Sequence, residues 1–135
     1  HAQHIATEYL IRFRRDRRGM RAMALTADGA TLTAAANDLG FERVFARQIE
    51  ALARPGDVVV LISTSGKSPN LHAAARAARS GGVAVVGLLG GDGGPLAGLV
   101  DEAIIVPASE TSLIQELHLL VDHAIVDLVE EGLRP

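Results

Sequence analysis

Cysteine is absent from this chain, which removes disulfide frameworks and thiolate metal sites from consideration. Aromatic residues are scarce, three Phe and one Tyr, and the formal net charge is −3. A general nucleic-acid binder needs excess positive charge and usually stacking rings, so direct nucleic-acid binding is not expected. No apolar run approaches the length of a membrane span, and the first residues lack the charged-then-apolar order of a signal peptide. The expectation is a soluble, cytoplasmic protein. What the chain does have is apolar bulk: 48% of 135 residues, enough for one domain with a sizeable core.

The periodicity alternates between strand and helix. Residues 1–15 look helical, 22–26 read as a short strand, and 31–37 and 41–53 read as two helices separated by Gly40. A β-branched run over 57–62 predicts a buried parallel strand. An alanine-rich helix follows over 71–79, closed by Gly81-Gly82, and 83–89 is a second buried strand. After a glycine-rich loop, 90–95, which reads as mobile, come a short strand at 104–106 and a long amphipathic helix over 111–133. Its apolar stripe of Val121, Ile125, Leu128 and Val129 is a candidate core or subunit face. Such alternation is the grammar of a mainly parallel sheet covered on both faces, a three-layer α/β/α sandwich.

The most informative stretch runs from Val58 through Ile62 into Ser63-Thr64-Ser65-Gly66-Lys67-Ser68-Pro69. Gly66 lets the backbone turn, Ser68 is placed to cap the next helix, and Pro69 suits a first helical position. Free amides at a helix N-terminus beside the hydroxyls of Ser63, Thr64 and Ser65 form an oxyanion site, so a phosphorylated ligand is one reading. An ordinary strand-to-helix turn rich in Ser and Thr is the other. Ligands in such sheets sit at the carboxyl ends of the strands, where this loop lies.

A second constellation pairs His4 with Glu8, one helical turn apart, and Gln115 with His123 on the last helix, two turns apart with an offset of about 80°. Imidazole and carboxylate on one face can share a ligand or a metal, and they can equally be a surface pair. His118 and Glu116 read as ordinary helix residues, and His1 and His72 are left without a role. Arg12, Arg14, Arg15, Arg17, Arg18 and Arg21 crowd around Asp16, either as a solvated connector or as a patch for a polyanion or an acidic partner.

Together these motifs resemble the sugar isomerase (SIS) domain family, and within it the sedoheptulose 7-phosphate isomerases. The resemblance rests on Ile62-Ser63-Thr64-Ser65-Gly66-Lys67-Ser68, on Asn37-Asp38-Leu39-Gly40-Phe41, and on Ile114-Gln115-Glu116-Leu117-His118. Ala2-Gln3-His4-Ile5-Ala6 with Glu8, and Asp92-Gly93-Gly94 with Leu96-Ala97-Gly98, match further family segments. It covers nearly the whole chain and implies a flavodoxin-like sheet in a single SIS domain, 1–135. Family members open with a helix and a central strand that would precede His1, so the domain is expected to be partial at its N-terminus. Leu113 stands where relatives often carry Arg.

The resemblance implies conversion of sedoheptulose 7-phosphate to D-glycero-D-manno-heptose 7-phosphate through an enediol, the first step of bacterial heptose biosynthesis. It assigns Glu8 as base and His123 as its acid/base partner. Ser63, Thr64, Ser65 and Ser68 would hold the phosphate, while Asn37, Asp38 and Gln115 position sugar hydroxyls. It also implies one zinc ion per subunit on His4, Glu8, Gln115 and His123, and a homotetramer. A carboxylate or imidazole on zinc is a poorer proton acceptor, which sets the two roles of Glu8 and His123 in tension. A non-catalytic SIS relative that binds the replication initiator shares Leu32-Thr33-Ala34-Ala35-Ala36-Asn37-Asp38 and the ending Leu133-Arg134-Pro135. That relative lacks acid/base groups at the positions of Glu8 and His123. A sugar-phosphate sensor, the third reading, would keep the Ser63 loop and need no Glu8.

Overall fold

The computed structural model describes residues 1–132; the Leu133-Arg134-Pro135 ending lies outside them. Three parallel strands, β1 (Val58–Ser63), β2 (Ala84–Gly90) and β3 (Glu102–Val106), lie in the order β1-β2-β3, with Val60 opposite Val86 and Leu88 opposite Ile104. The chain enters through α1 (Ala2–Leu10), α2 (Gly29–Leu39) and α3 (Val44–Leu52), crosses from β1 to β2 by α4 (Pro69–Ser80), and ends in α5 (Thr111–Gly132). A 3-10 turn, Phe41–Arg43, takes the first turn of the helix expected over 41–53 and leads straight into α3.

The core forms where α4, backed by α3, packs on the sheet. Ala74, Ala75 and Ala78 of α4 are fully buried against Ile49, Leu61, Val85, Leu89 and Leu96. Alanines on this face let the helix approach the strands closely. Each fully buried Leu here contributes roughly 2–3 kcal/mol. Leu88 alternates with Val85 and Leu89 and is equally buried, while α5 packs on β2 and β3 and α1 packs on α5. The sandwich expected from the alternating periods is therefore present. Gly81 and Gly82 close α4 as expected, Gly82 with a φ of +68° and Val83 N–H reaching back to the Ala78 carbonyl at 3.0 Å.

Four expectations need correction. Residues 22–26 form no strand: they run beside β1 across a groove of about 640 Å³ lined by Ala22, Met23, Leu25, Val58 and Val60. A strand exists only by pairing, and among the described residues this segment pairs with no strand; Gln3 and Gln48 hold it through the Thr26 and Leu25 carbonyls. For the same reason β1 is buried only in part, with Val58 59% and Val60 50% exposed. The first helix stops at Leu10 rather than running to 15, because the N–H groups of Phe13, Arg14 and Arg15 are drawn to the Glu130 carboxylate. The glycine-rich loop is packed rather than loose: Gly93 N–H bonds the Gly90 carbonyl at 3.0 Å and Leu96 N–H bonds the Gly66 carbonyl at 3.1 Å.

Along α5, the buried stripe is Ile114, His118, Asp122, Val126 and Glu130. Of the apolar stripe read from sequence, Leu128 is 67% exposed and Val129 36% exposed. A stripe carrying two acids and a histidine can face inward because each has an internal partner.

Candidate functional site

Two helices build the centre of the site. His4 and Glu8 stand one turn apart on α1, and His123 comes to them from α5, 119 residues further along the chain. The two imidazole Nε2 atoms are 3.0 Å apart, one donating and the other accepting, and His4 Nε2 lies 3.6 Å from Glu8 Oε1. One ligand atom from each residue lies within 4.8 Å of the others. Two ligands on one tetrahedral zinc stand roughly 3.3 Å apart, so the donor spacing and the nitrogen and oxygen donor types fit a metal of that kind. Glu8 is mostly shielded and His4 is half-exposed, which leaves one side of the cluster open.

The surroundings orient these groups. The Phe13 ring stacks on the His123 imidazole at 5.0 Å and 18°. Asp122 is buried and bonds His1 Nε2. Burial pushes the Asp122 carboxyl up to about 6, against the opposing pull of His118, His123 and His4. His118 is wholly buried and donates from Nε2 to the Leu89 carbonyl at 2.9 Å, which ties α5 to β2; its Nδ1 has no partner among the described residues.

Further along α5, the Glu130 side chain accepts the N–H groups of Phe13, Arg14 and Arg15 and the Arg17 Nε at 2.9–3.0 Å. Burial raises its carboxyl, and these four bonds more than offset that, holding it at about 2. Arg14 and Arg15 pair with Asp127, so this half of the arginine cluster serves as a structural connector.

The loop after β1 forms the second part. Ser63 is buried and its Oγ accepts the Gly66 N–H at 3.0 Å, while Ser65 Oγ accepts the Lys67 N–H at 3.3 Å. Pro69 takes the first position of α4 as expected, but the Ser68 hydroxyl makes no cap. The Ser68 carbonyl takes the Leu71 and His72 amides at 3.1 and 3.2 Å, which leaves the hydroxyl outside the helix hydrogen bonding. His72 donates from its ring to the Gly66 carbonyl at 2.8 Å and braces the turn. Ser68 and Asn70 line the same groove as Ala2, at the head of the helix that carries His4. Thr64 is half-buried and Ser65 exposed.

The remaining predicted site residues stay apart from the cluster. Asn37 and Asp38 are exposed at the end of α2 and bond each other at 2.7 Å. Gln115 is exposed on α5, about 12 Å along the axis from His123. Phe13, Asp122, Arg17 and Glu130 were not singled out for the site. A buried acid carries no local sequence signal that separates it from a solvated one.

A parallel sandwich with a hydroxyl-rich loop at a strand's carboxyl end and a His/Glu/His cluster beside it defines a sugar-isomerase class of domain, and the SIS domain model matches residues 1–90. The phosphoheptose isomerase of Roseiflexus sp. (strain RS-1) is 55% identical over 132 residues, 98% of this chain and 67% of that protein. That of Paramagnetospirillum magneticum is 51% identical over 134 residues, 99% of this chain and 70% of that protein. Among solved structures, the phosphoheptose isomerase of Neisseria gonorrhoeae superposes with a TM-score of 0.90 at 42% identity, covering 96% of this chain and 69% of that one. The enzyme from Francisella tularensis gives 0.92 at 37% identity, with 96% and 70% covered. The chain belongs to the SIS domain family, among its phosphoheptose isomerases.

Proposed function

We propose that the protein isomerises sedoheptulose 7-phosphate to D-glycero-D-manno-heptose 7-phosphate. The observation that carries this reading is the convergence of His4, Glu8 and His123, an acid/base set with metal-ligand spacing, while Ala2 at the head of the same helix lines a groove with Ser68 of the loop after β1. The 50–55% identity to phosphoheptose isomerases supports the substrate. The initiator-binding reading, by contrast, leaves Glu8 and His123 without work. That the described residues hold no helix long and apolar enough to cross a membrane is compatible with the proposed cytoplasmic location and entry into heptose biosynthesis, lipopolysaccharide precursors among its products.

In this mechanism the substrate phosphate binds at Ser65, Ser68 and Thr64, with Ser63 holding the turn that presents them. Asn37, Asp38 and Gln115 contact hydroxyls of the open-chain sugar. Glu8 takes a proton from C1 while His123 protonates the C2 carbonyl oxygen, giving an enediol. Glu8 then returns its proton to C2 as His123 accepts the proton from the C1 hydroxyl, and the aldehyde forms. Atoms and electrons balance within the sugar. His4, Glu8 and His123 would hold zinc, while Gln115, about 12 Å along α5 from His123, stands outside that set. When bound, the ion supplies polarisation of the sugar oxygens. The exposed Leu120 and Leu128 on α5 suit burial in a homotetramer.

The experiment is turnover of sedoheptulose 7-phosphate by the purified protein, before and after chelation and with zinc restored, alongside calorimetric zinc binding to the wild type and to His4→Ala. Turnover with zinc bound, and affinity reduced about 10-fold or more in His4→Ala, is the expected result. A folded, zinc-replete protein with no turnover would sink the isomerase reading.

A further inference from the structure

The helix that carries His4 and Glu8 is only nine residues long, and beyond the Ile11 N–H on the Thr7 carbonyl its end is held by a side chain. Its last carbonyls have no intrahelical donors. Arg17 supplies the Glu8 carbonyl through Nη2 at 2.8 Å and shares the Tyr9 carbonyl, Nη1 at 2.9 Å, with the Met20 N–H at 3.0 Å. A guanidinium there also complements the negative end of the helix dipole. Arg17 is in turn fixed by its Nε on Glu130 at 2.9 Å, and both side chains are nearly or wholly buried.

Glu130 lies seven residues after His123, so helix geometry puts the two on one stripe of α5, about 20° apart. The carboxylate that anchors Arg17 also takes the Phe13 N–H at 2.9 Å, and the Phe13 ring is the one stacked on His123. A single buried carboxylate thus reaches both partners of the cluster, Glu8 through Arg17 and His123 through Phe13.

We infer that Glu130 and Arg17 form a clamp that sets Glu8 and the Phe13 ring against His123, and so act as positioning residues for the site. The kinetic consequence rests on the isomerase reading above; the geometric one does not. Neither residue touches the reacting atoms. Its loss leaves every group of the mechanism in the chain while loosening the geometry, and misplacements of about 1 Å at a catalytic pair cost about 100-fold in rate.

The test uses Glu130→Gln and Arg17→Met in the purified protein, with Asp127→Asn as control. Asp127 pairs with Arg14 and Arg15 on the same connector but makes no bond to Arg17. Two readouts are taken on protein shown folded by circular dichroism: the His123 ring-proton resonances, assigned with His123→Gln, and kcat against KM. The expected result is that both clamp variants move the His123 resonances towards those of an exposed histidine and lower kcat about 10- to 100-fold with little change in KM. Asp127→Asn should change neither. Unmoved resonances with unchanged kcat in the folded variants would overturn the clamp, and so would an equal effect from Asp127→Asn. Should Glu130→Gln fail to fold, Arg17→Met decides, since it leaves the Glu130 carboxylate with its three backbone donors. If the wild type does not turn over, the isomerase reading falls and the resonances alone judge the clamp.

Discussion

Gly66→Ala tests whether the loop after β1 is fixed by packing or by conformation alone. Gly66 has a φ of +61°, and a Cβ there would overlap the Gly93 carbonyl oxygen, lie 2.6 Å from the Gly93 carbonyl carbon and 3.1 Å from the Gly94 nitrogen. The obstacle is backbone, and it is pinned by the Gly93 N–H to Gly90 and the Gly91 N–H to Val106 bonds. It cannot swing aside as a side chain would. A left-handed φ costs an alanine about 1–2 kcal/mol, and overpacking against fixed atoms adds about 1–3 kcal/mol. The sum, about 2–5 kcal/mol, is a large part of the about 5–15 kcal/mol that holds a domain folded. Gly82 is the internal control: its φ is +68°, yet nothing lies within 4 Å of an added Cβ. Gly82→Ala should therefore cost only the conformational part. In urea unfolding, with a slope of about 1.5 kcal/mol per M, Gly66→Ala should lower the midpoint by about 1–3 M and Gly82→Ala by no more than about 1 M. Equal shifts for the two variants would refute the argument that the loops are locked backbone to backbone.

Asp28→Ala and Ser68→Ala separate a working helix cap from an unused one. Asp28 accepts the Ala30 and Thr31 amides, so its loss should cost about 1 kcal/mol; Ser68 makes no cap bond, so its loss should leave the urea midpoint in place while raising KM for the phosphorylated substrate. For pH, the Glu130 carboxyl sits at about 2 when folded against an ordinary 4.5, so the unfolded chain binds the extra proton between these values. Its stabilising contribution is whole above about 4.5 and is lost as pH falls towards 2. Glu130→Gln should flatten that acid limb of the stability curve, and an unchanged limb would contradict the assignment.

Legibility in the sequence followed how local the cause was. The β-branched run of β1 and the alanines of α4 act through their own composition, and the elements lie within a residue or two of the expected positions. Residues 22–26 have strand composition, but pairing is decided by what lies alongside, and there a groove separates them from β1. The end of α1 escaped notice because its cause, Glu130, is more than a hundred residues away. Ser68 meets the local rule for a cap, yet its hydroxyl makes no cap bond, since capping turns on a side-chain orientation that composition does not carry. At the site, His4 and Glu8 were legible as a one-turn pair and His123 as half of a second pair with Gln115, and family resemblance supplied their roles. The Phe13 ring and the buried Asp122 were not legible, because they depend on the approach of α5 to α1 and on internal partners for polar groups.

In the proposed reaction Glu8 moves the carbon-bound proton of a heptulose phosphate. The most direct measurement is isomerisation of sedoheptulose 7-phosphate in deuterated water by the wild type and by Glu8→Gln, followed by proton NMR of C1 and C2. The wild type should form the aldose with deuterium carried into the C2 position, and folded Glu8→Gln should neither isomerise nor exchange. Isomerisation by Glu8→Gln at the wild-type rate would contradict it.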